Sequence, residues 1–164
     1  MTNALASITK SVVVNVDRRH AFDVFTTGLD SWWPRSHHLG ESPLVEFVME
    51  PREGGGWYGI CEDGSKSHAG HVIAWDPPNS VVLAWQITGE WRYDPDFVTE
   101  VEVRFVAEAP DRTRVELEHR YLDRFGAHQS QIVETFSSDG GWNGLMEMFA
   151  AAAEGRPVIG RELP

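Results

Sequence analysis

Three stretches in the second half of the chain alternate strictly between apolar and polar positions. Val81, Leu83, Trp85 and Ile87 share one side of the first. In the second, Thr99, Val101, Val103 and Phe105 face one way, and Glu100, Glu102 and Arg104 the other. In the third, Val115, Leu117 and His119 oppose Arg114, Glu116, Glu118 and Arg120. A period of two is the signature of a strand with one dry and one wet face. One-sided patterning of this kind belongs to antiparallel sheets. Earlier in the chain, Val45, Phe47 and Met49 alternate with Glu46, Val48 and Glu50. Gly54-Gly55-Gly56 then turns into a short strand from Trp57 to Ile60, and Asp63-Gly64 reads as a hairpin turn into a strand over His68 to Trp75. Asp76-Pro77-Pro78-Asn79 must turn, since neither proline can donate to a ladder. A first strand, rich in β-branched residues, is predicted over Ile8 to Val16.

Helical spacing occupies two other regions. Asp17 reads as an N-cap, followed by Ala21, Phe22, Val24, Phe25 and Leu29 at helical intervals, with Gly28 weakening the end and Pro34 stopping any helix near Trp33. Near the C-terminus, Gln129 to Phe136 forms one segment, and Ser138-Asp139-Gly140-Gly141 interrupts it. Trp142, Leu145, Met146 and Phe149 then fall at i, i+3, i+4 and i+7, an apolar stripe. Ala150 to Ala153 permits close approach to a sheet, and Gly155 and Pro157 end the helix. The order is strand, short helices, six antiparallel strands, long helix. The pattern predicts an α+β fold, a curved antiparallel sheet wrapped around a long C-terminal helix, as one domain over residues 1–164. A straight helix on a curved sheet closes poorly at one end, so a cavity is expected there, near Trp32-Trp33-Pro34.

Composition narrows the partners. The chain has 164 residues and a net charge of −11 with histidine neutral. Such a surface repels phosphate backbones, so nucleic acid is not an expected partner. No stretch approaches the ~18 apolar residues of a membrane span, so no membrane partner is expected. Met1 to Lys10 shows no apolar run behind a basic patch, and Cys61 is the one cysteine. Both fit a reducing, cytoplasmic location. Seven tryptophans are many for this length. They suit a packed core, an aromatic pocket, or the surface of a homodimer.

Several segments, taken in order, resemble one family. They are Trp32-Trp33-Pro34; Glu50-Pro51-Arg52-Glu53-Gly54-Gly55-Gly56-Trp57; Gly70-His71-Val72 with Asp76-Pro77-Pro78; Trp85; Thr99-Glu100-Val101; Arg114-Val115-Glu116-Leu117-Glu118-His119; and Gly141-Trp142. Together they resemble the START-like (SRPBCC, birch-pollen-allergen-like) superfamily, in the branch named after the activator of the heat-shock-protein-90 ATPase (AHSA-like). The resemblance implies the helix-grip fold. Its members range from ligand carriers to cyclases, hydrolases and co-chaperone modules, and members of this branch often pair as homodimers.

Three function classes follow. The first is a small-molecule binding domain, with Trp32, Trp33, Trp57, Trp85, His119, Trp142 and Met146 contacting a hydrophobic or aromatic ligand. The second is a cavity enzyme of hydrolase or cyclase type in which His119 acts as acid or base, although no nucleophile stands out for it to activate. The third is a protein-interaction module with a chaperone partner. Each tryptophan also fits ordinary core, and His119 also fits a core histidine satisfied by one hydrogen bond. His37-His38 lies in a loop expected to act as a lid. His68 and His71, three apart on a strand, are expected on opposite faces. No metal-ligand spacing is present and no cofactor is expected. Gly54 to Gly56 is not a phosphate loop, since no Lys-Ser or Lys-Thr follows. Glu50 and Arg52, flanking Pro51 before the glycine turn, are expected to play a structural role, paired with each other or with a helix terminus.

Overall fold

The computed structural model describes residues 6–162. Seven strands form one curled antiparallel sheet: β1 (Ser7–Val14), β2 (Leu44–Met49), β3 (Gly56–Cys61), β4 (Lys66–Asp76), β5 (Ser80–Trp85), β6 (Thr99–Ala109) and β7 (Arg112–Arg120). Their spatial order is β1-β7-β6-β5-β4-β3-β2. The last six strands run as a meander of hairpins, and the first pairs with the last, Val12 opposite Val115. The chain between β1 and β2 therefore crosses the inner face. There it forms α1 (Arg18–Phe25) and a short 3-10 turn, Leu29–Ser31. After β7 come a kinked 3-10 segment (Leu122–His128), α2 (Gln129–Ser137) and α3 (Trp142–Ala153). A curled sheet gripping a long C-terminal helical segment is the helix-grip arrangement.

The inner face is the one the alternation marked. Leu83, Val101, Val103, Phe105, Val115 and Leu117 are buried, as are Trp142, Leu145, Met146 and Phe149 of α3. Phe149 stands 5.1 Å from Phe25 and 5.8 Å from Trp32, ring centre to ring centre. Phe25 in turn meets Phe105 edge-on at 5.9 Å. Helix, crossing segment and sheet thus share one aromatic core. On the outer face Arg120 reaches Glu100, Glu102 and Glu118 at 2.8, 2.6 and 3.4 Å. These half-exposed pairs add little stability each, but they keep the wet face wet.

Local polar groups explain where elements stop. Asp17 Oδ2 accepts from the His20 amide at 3.2 Å, the expected N-cap. The Thr26 hydroxyl then donates back to the Phe22 carbonyl at 2.7 Å, and α1 ends there, earlier than the apolar spacing out to Leu29 predicted. Glu50 Oε1 accepts from the Gly56 amide at 2.7 Å and lies 3.4 Å from Arg52 Nη1. The backbone hydrogen bond, foremost, and the nearby Arg52 charge hold its carboxyl below the usual range.

Two expectations need correction. β5 stops at Trp85, and Ile87 makes only an isolated bridge to Tyr93. Gln86 diverts the chain: its side chain donates to the Pro95 carbonyl at 3.0 Å, and its carbonyl accepts from Asp94 at 2.9 Å. His68 and His71 do not face opposite sides. His68 pairs with Tyr58 while Gly70 pairs with Trp57, so Ala69 is an extra residue in the ladder. That bulge turns both histidines to the outer face. His71 Nδ1 meets Gln86 Oε1 at 2.8 Å there.

Candidate functional site

The inner face of β3, β4 and β5 and the junction between α2 and α3 do not close on each other. A cavity of about 290 Å³ lies between them. Phe47, Trp57, Ala69 and Trp85 form its floor, and Phe136, Trp142 and Leu145 form its roof. The loop from Ser36 to Leu39 and the side chain of Trp91 border the mouth. The break between α2 and α3 belongs to the cavity wall, because Gly140 and Gly141 line it. A Cβ on Gly141 would come 2.4 Å from the Phe136 carbonyl oxygen, so glycine allows this tight junction.

Four of the five lining tryptophans, all but Trp91, use their N–H groups internally. Trp33 donates to the His37 carbonyl at 2.8 Å and Trp57 to the Ala84 carbonyl at 2.9 Å. Trp85 donates to the Ile87 carbonyl at 3.1 Å and Trp142 to His119 Nδ1 at 3.1 Å. The rings are therefore fixed in orientation and offer the cavity apolar surface rather than donors.

The loop from Ser36 to Leu39 is tethered across the gap. His37 Nε2 donates to the Gly140 carbonyl at 2.7 Å, and its Nδ1 lies 2.9 Å from the Ser36 hydroxyl. Both ring nitrogens of His37 are thus engaged. His38 differs. Its Nδ1 accepts from the Gly40 amide at 3.1 Å, and burial holds its pKa below the usual histidine value. The Leu39 amide donates to Ser67 Oγ at 2.8 Å, tying the same loop to β4.

Trp91 was not singled out in the sequence. It is 48% exposed and sits at φ 60°, left-handed backbone that a side chain larger than glycine or asparagine rarely adopts. Its ring meets Phe136 edge-on at 6.0 Å across the mouth. A bulky aromatic in the polar run Thr88-Gly89-Glu90-Trp91-Arg92 was the available signal.

The description "Activator of Hsp90 ATPase homolog 1-like protein" matches residues 15–154. The chain belongs to the AHSA1 family. Among solved structures, this AHSA1-family chain is 36% identical to the anthrahydroquino-gamma-pyrone synthase Txn09, covering 88% of this chain and 94% of that one, with a TM-score of 0.62. It is 32% identical to the self-sacrificing resistance protein CalC from Micromonospora echinospora, covering 93% and 97%, with a TM-score of 0.70. The protein NE0264 from Nitrosomonas europaea is 12% identical over 94% and 98% of the two chains, with a TM-score of 0.66, and shares the fold. No curated protein matches the chain. No helix among the described residues is long and apolar enough to cross a membrane.

In this AHSA1-family domain the seven residues singled out from sequence do not all meet at the cavity. Trp33, Trp57, Trp85 and Trp142 line it. Trp32, Met146 and His119 lie outside its lining, fully or almost fully buried. Trp32 is held in the core by its N–H to the Val24 carbonyl at 3.0 Å and by Phe25 and Phe149. Met146 falls on the buried stripe of α3 but on a different side from Leu145, which does reach the cavity.

His119 does not project into the gap as expected, because aromatic rings cover it. Phe136 stacks on its ring at 5.2 Å, and Trp85 and Trp142 flank it at 5.3 and 6.0 Å. The hydrogen bonds assign its tautomer. Nδ1 accepts from Trp142, so the proton sits on Nε2 and is donated to Thr99 Oγ1 at 2.8 Å. Burial pushes its pKa down to about 3. In the unfolded chain the value is ~6.5. Between those values the unfolded chain binds a proton that the folded chain does not, so stability rises with pH across this window and is unaffected by His119 above it. Each pH unit of acidification removes up to about 1.4 kcal/mol. The expected result is a falling denaturation midpoint from pH 6.5 downward, with the His119 imidazole NMR signals still those of the neutral Nε2–H form at pH 5. A His119 signal that titrates near pH 6 would contradict this assignment.

Proposed function

We propose that the chain binds a flat, largely apolar organic molecule in the cavity between sheet and helix. One observation carries this reading. The wall presents fixed indole and phenyl faces whose polar groups are already satisfied, around a space of about 290 Å³. That combination favours fused or linked rings over ions or flexible polar chains. The 36% identical relative supports it, since its name describes the synthesis of a fused-ring pyrone.

The test uses prodan, an uncharged dye of two fused rings. One molecule per chain is expected to bind, with a Kd on the order of micromolar, a blue-shifted dye emission and quenched tryptophan emission. Trp85→Ala should weaken binding more than tenfold if the protein stays folded, as checked by circular dichroism. Absence of stoichiometric binding to the folded protein would sink the reading.

A second reading, an enzyme working in the same cavity, draws its support from the synthase relative. In that reading the acting groups are those of the loop from Ser36 to Leu39, while His119 orients Trp142 from behind the wall.

A further inference from the structure

Many polar groups around the cavity are already engaged within the protein. Four of the five lining indoles and both nitrogens of His37 are engaged with protein partners. No Lys or Arg is among the described residues that line the space. Exposed His68 and Trp91 and half-buried Thr135 also border the space with a polar group that has no side-chain partner among the described residues, but they sit toward solvent. Two less exposed groups of the loop and β4 keep an unused hydrogen. Ser67 is 7% exposed, and its Oγ accepts from Leu39, yet its own hydroxyl proton meets no acceptor among the described residues. His38 accepts at Nδ1 from Gly40, which places its proton on Nε2, and Nε2 likewise has no partner among the described residues.

The sequence builds this arrangement locally. The Gly40 amide reaches His38 because the loop presses against β3: a Cβ on Gly40 would stand 2.7 Å from Cys61 Sγ. The preceding amide, Leu39, fixes Ser67. His38 and Ser67 are therefore held side by side through consecutive backbone groups of one loop, each with its acceptor side occupied and its donor side free.

We propose that His38 and Ser67 form the polar end of the cavity and together donate hydrogen bonds to one oxygen, a carbonyl or phenolate, on the bound ring system. The inference rests on the proposed binding of a planar ligand and specifies which planar ligands are preferred. Two neutral donors in an otherwise apolar wall suit a single strong acceptor. They do not suit a phosphate, which needs charge and a fork of donors. An unbonded donor in a dry wall is costly, so a ring that lacks the oxygen leaves both groups unsatisfied and binds more weakly.

The test compares 9-fluorenone with fluorene, which share a ring skeleton and differ in one carbonyl. In wild-type protein, fluorenone is expected to bind about tenfold tighter or more, by tryptophan quenching. In His38→Phe and Ser67→Ala the ratio should fall to about threefold or less, and in the double variant to about one. His38→Gln, which keeps a donor, should recover part of the preference. A measurement on wild-type protein guards against variants that fail to fold: the infrared carbonyl stretch of bound fluorenone should lie below its value in cyclohexane. If both compounds bind with equal affinity and the stretch is unshifted, the polar end is refuted while the binding function stands. If neither binds, the binding function fails and this inference with it.

Discussion

Replacing Gly70 by alanine is expected to leave little folded protein. Gly70 lies in the middle of the sheet, paired with Trp57 on one side and Trp85 on the other. A Cβ there would stand 1.7 Å from the Ala84 carbonyl oxygen and 2.7 Å from Trp57 Nε1. The obstacle is backbone, so no rotamer change relieves it. The same carbonyl accepts the Trp57 indole N–H at 2.9 Å, and moving it away breaks the bond that fixes the cavity floor. Ordinary overpacking costs about 1–3 kcal/mol. A clash with a central strand should exceed that, on the order of 3 kcal/mol or more. Soluble yield and the urea midpoint are the measurements. A Gly70→Ala protein with a wild-type midpoint would mean that β4 and β5 are not this close.

Truncating Phe149 is the second large effect. The ring is fully buried where α3, α1 and the crossing segment meet, edge-on to both Phe25 and Trp32. Phe149→Ala removes contacts with both neighbours and opens a void that a close-packed core refills only in part. The expected cost is about 3–5 kcal/mol. It should appear as a lower urea midpoint with an unchanged slope. A loss under about 1 kcal/mol would show that α3 does not anchor the core through this residue.

Much of this fold was legible because burial on one face writes a period into the sequence. The alternation from Val81 to Arg120 marked the inner face, and the i, i+3, i+4, i+7 stripe marked the face of α3. The errors lie where one residue breaks the period. The extra residue at Ala69 reverses the sidedness as far as Val72, a second irregularity before Ala74 reverses it again, and alternation alone cannot show a bulge. At Gln86 the chain leaves the sheet through side-chain hydrogen bonds to a loop that is distant in pattern, although near in sequence.

The site was legible in outline only. The pattern suggested a gap near Trp32-Trp33-Pro34, and of those three Trp33 borders the space, together with His37 and His38. Which side chains face the gap is decided by competition among large rings, which sequence does not rank. His119 shares a strand face with Val115 and Leu117, as alternation predicts, but Trp85, Phe136 and Trp142 stand between it and the cavity. Trp32 and Trp33 are adjacent in sequence, yet one packs into the core and the other lines the space.

Trp91 has a consequence for the rim of the cavity rather than its depth. An L-residue other than glycine or asparagine held at positive φ gives up roughly 1 kcal/mol in backbone free energy. The edge contact with Phe136 offsets about the same amount. The contact and the strain thus nearly cancel, in a short loop closed by the Thr88 amide on the Arg92 carbonyl at 2.8 Å and the Trp91 amide on the Thr88 carbonyl at 2.9 Å. For a guest of the kind proposed, this ring at the mouth is the part of the lining that meets both guest and solvent. A glycine or asparagine at position 91 would rest more easily in that backbone and leave the mouth without this ring. One exposed residue could thus change the rim of the cavity with floor, roof and core unchanged.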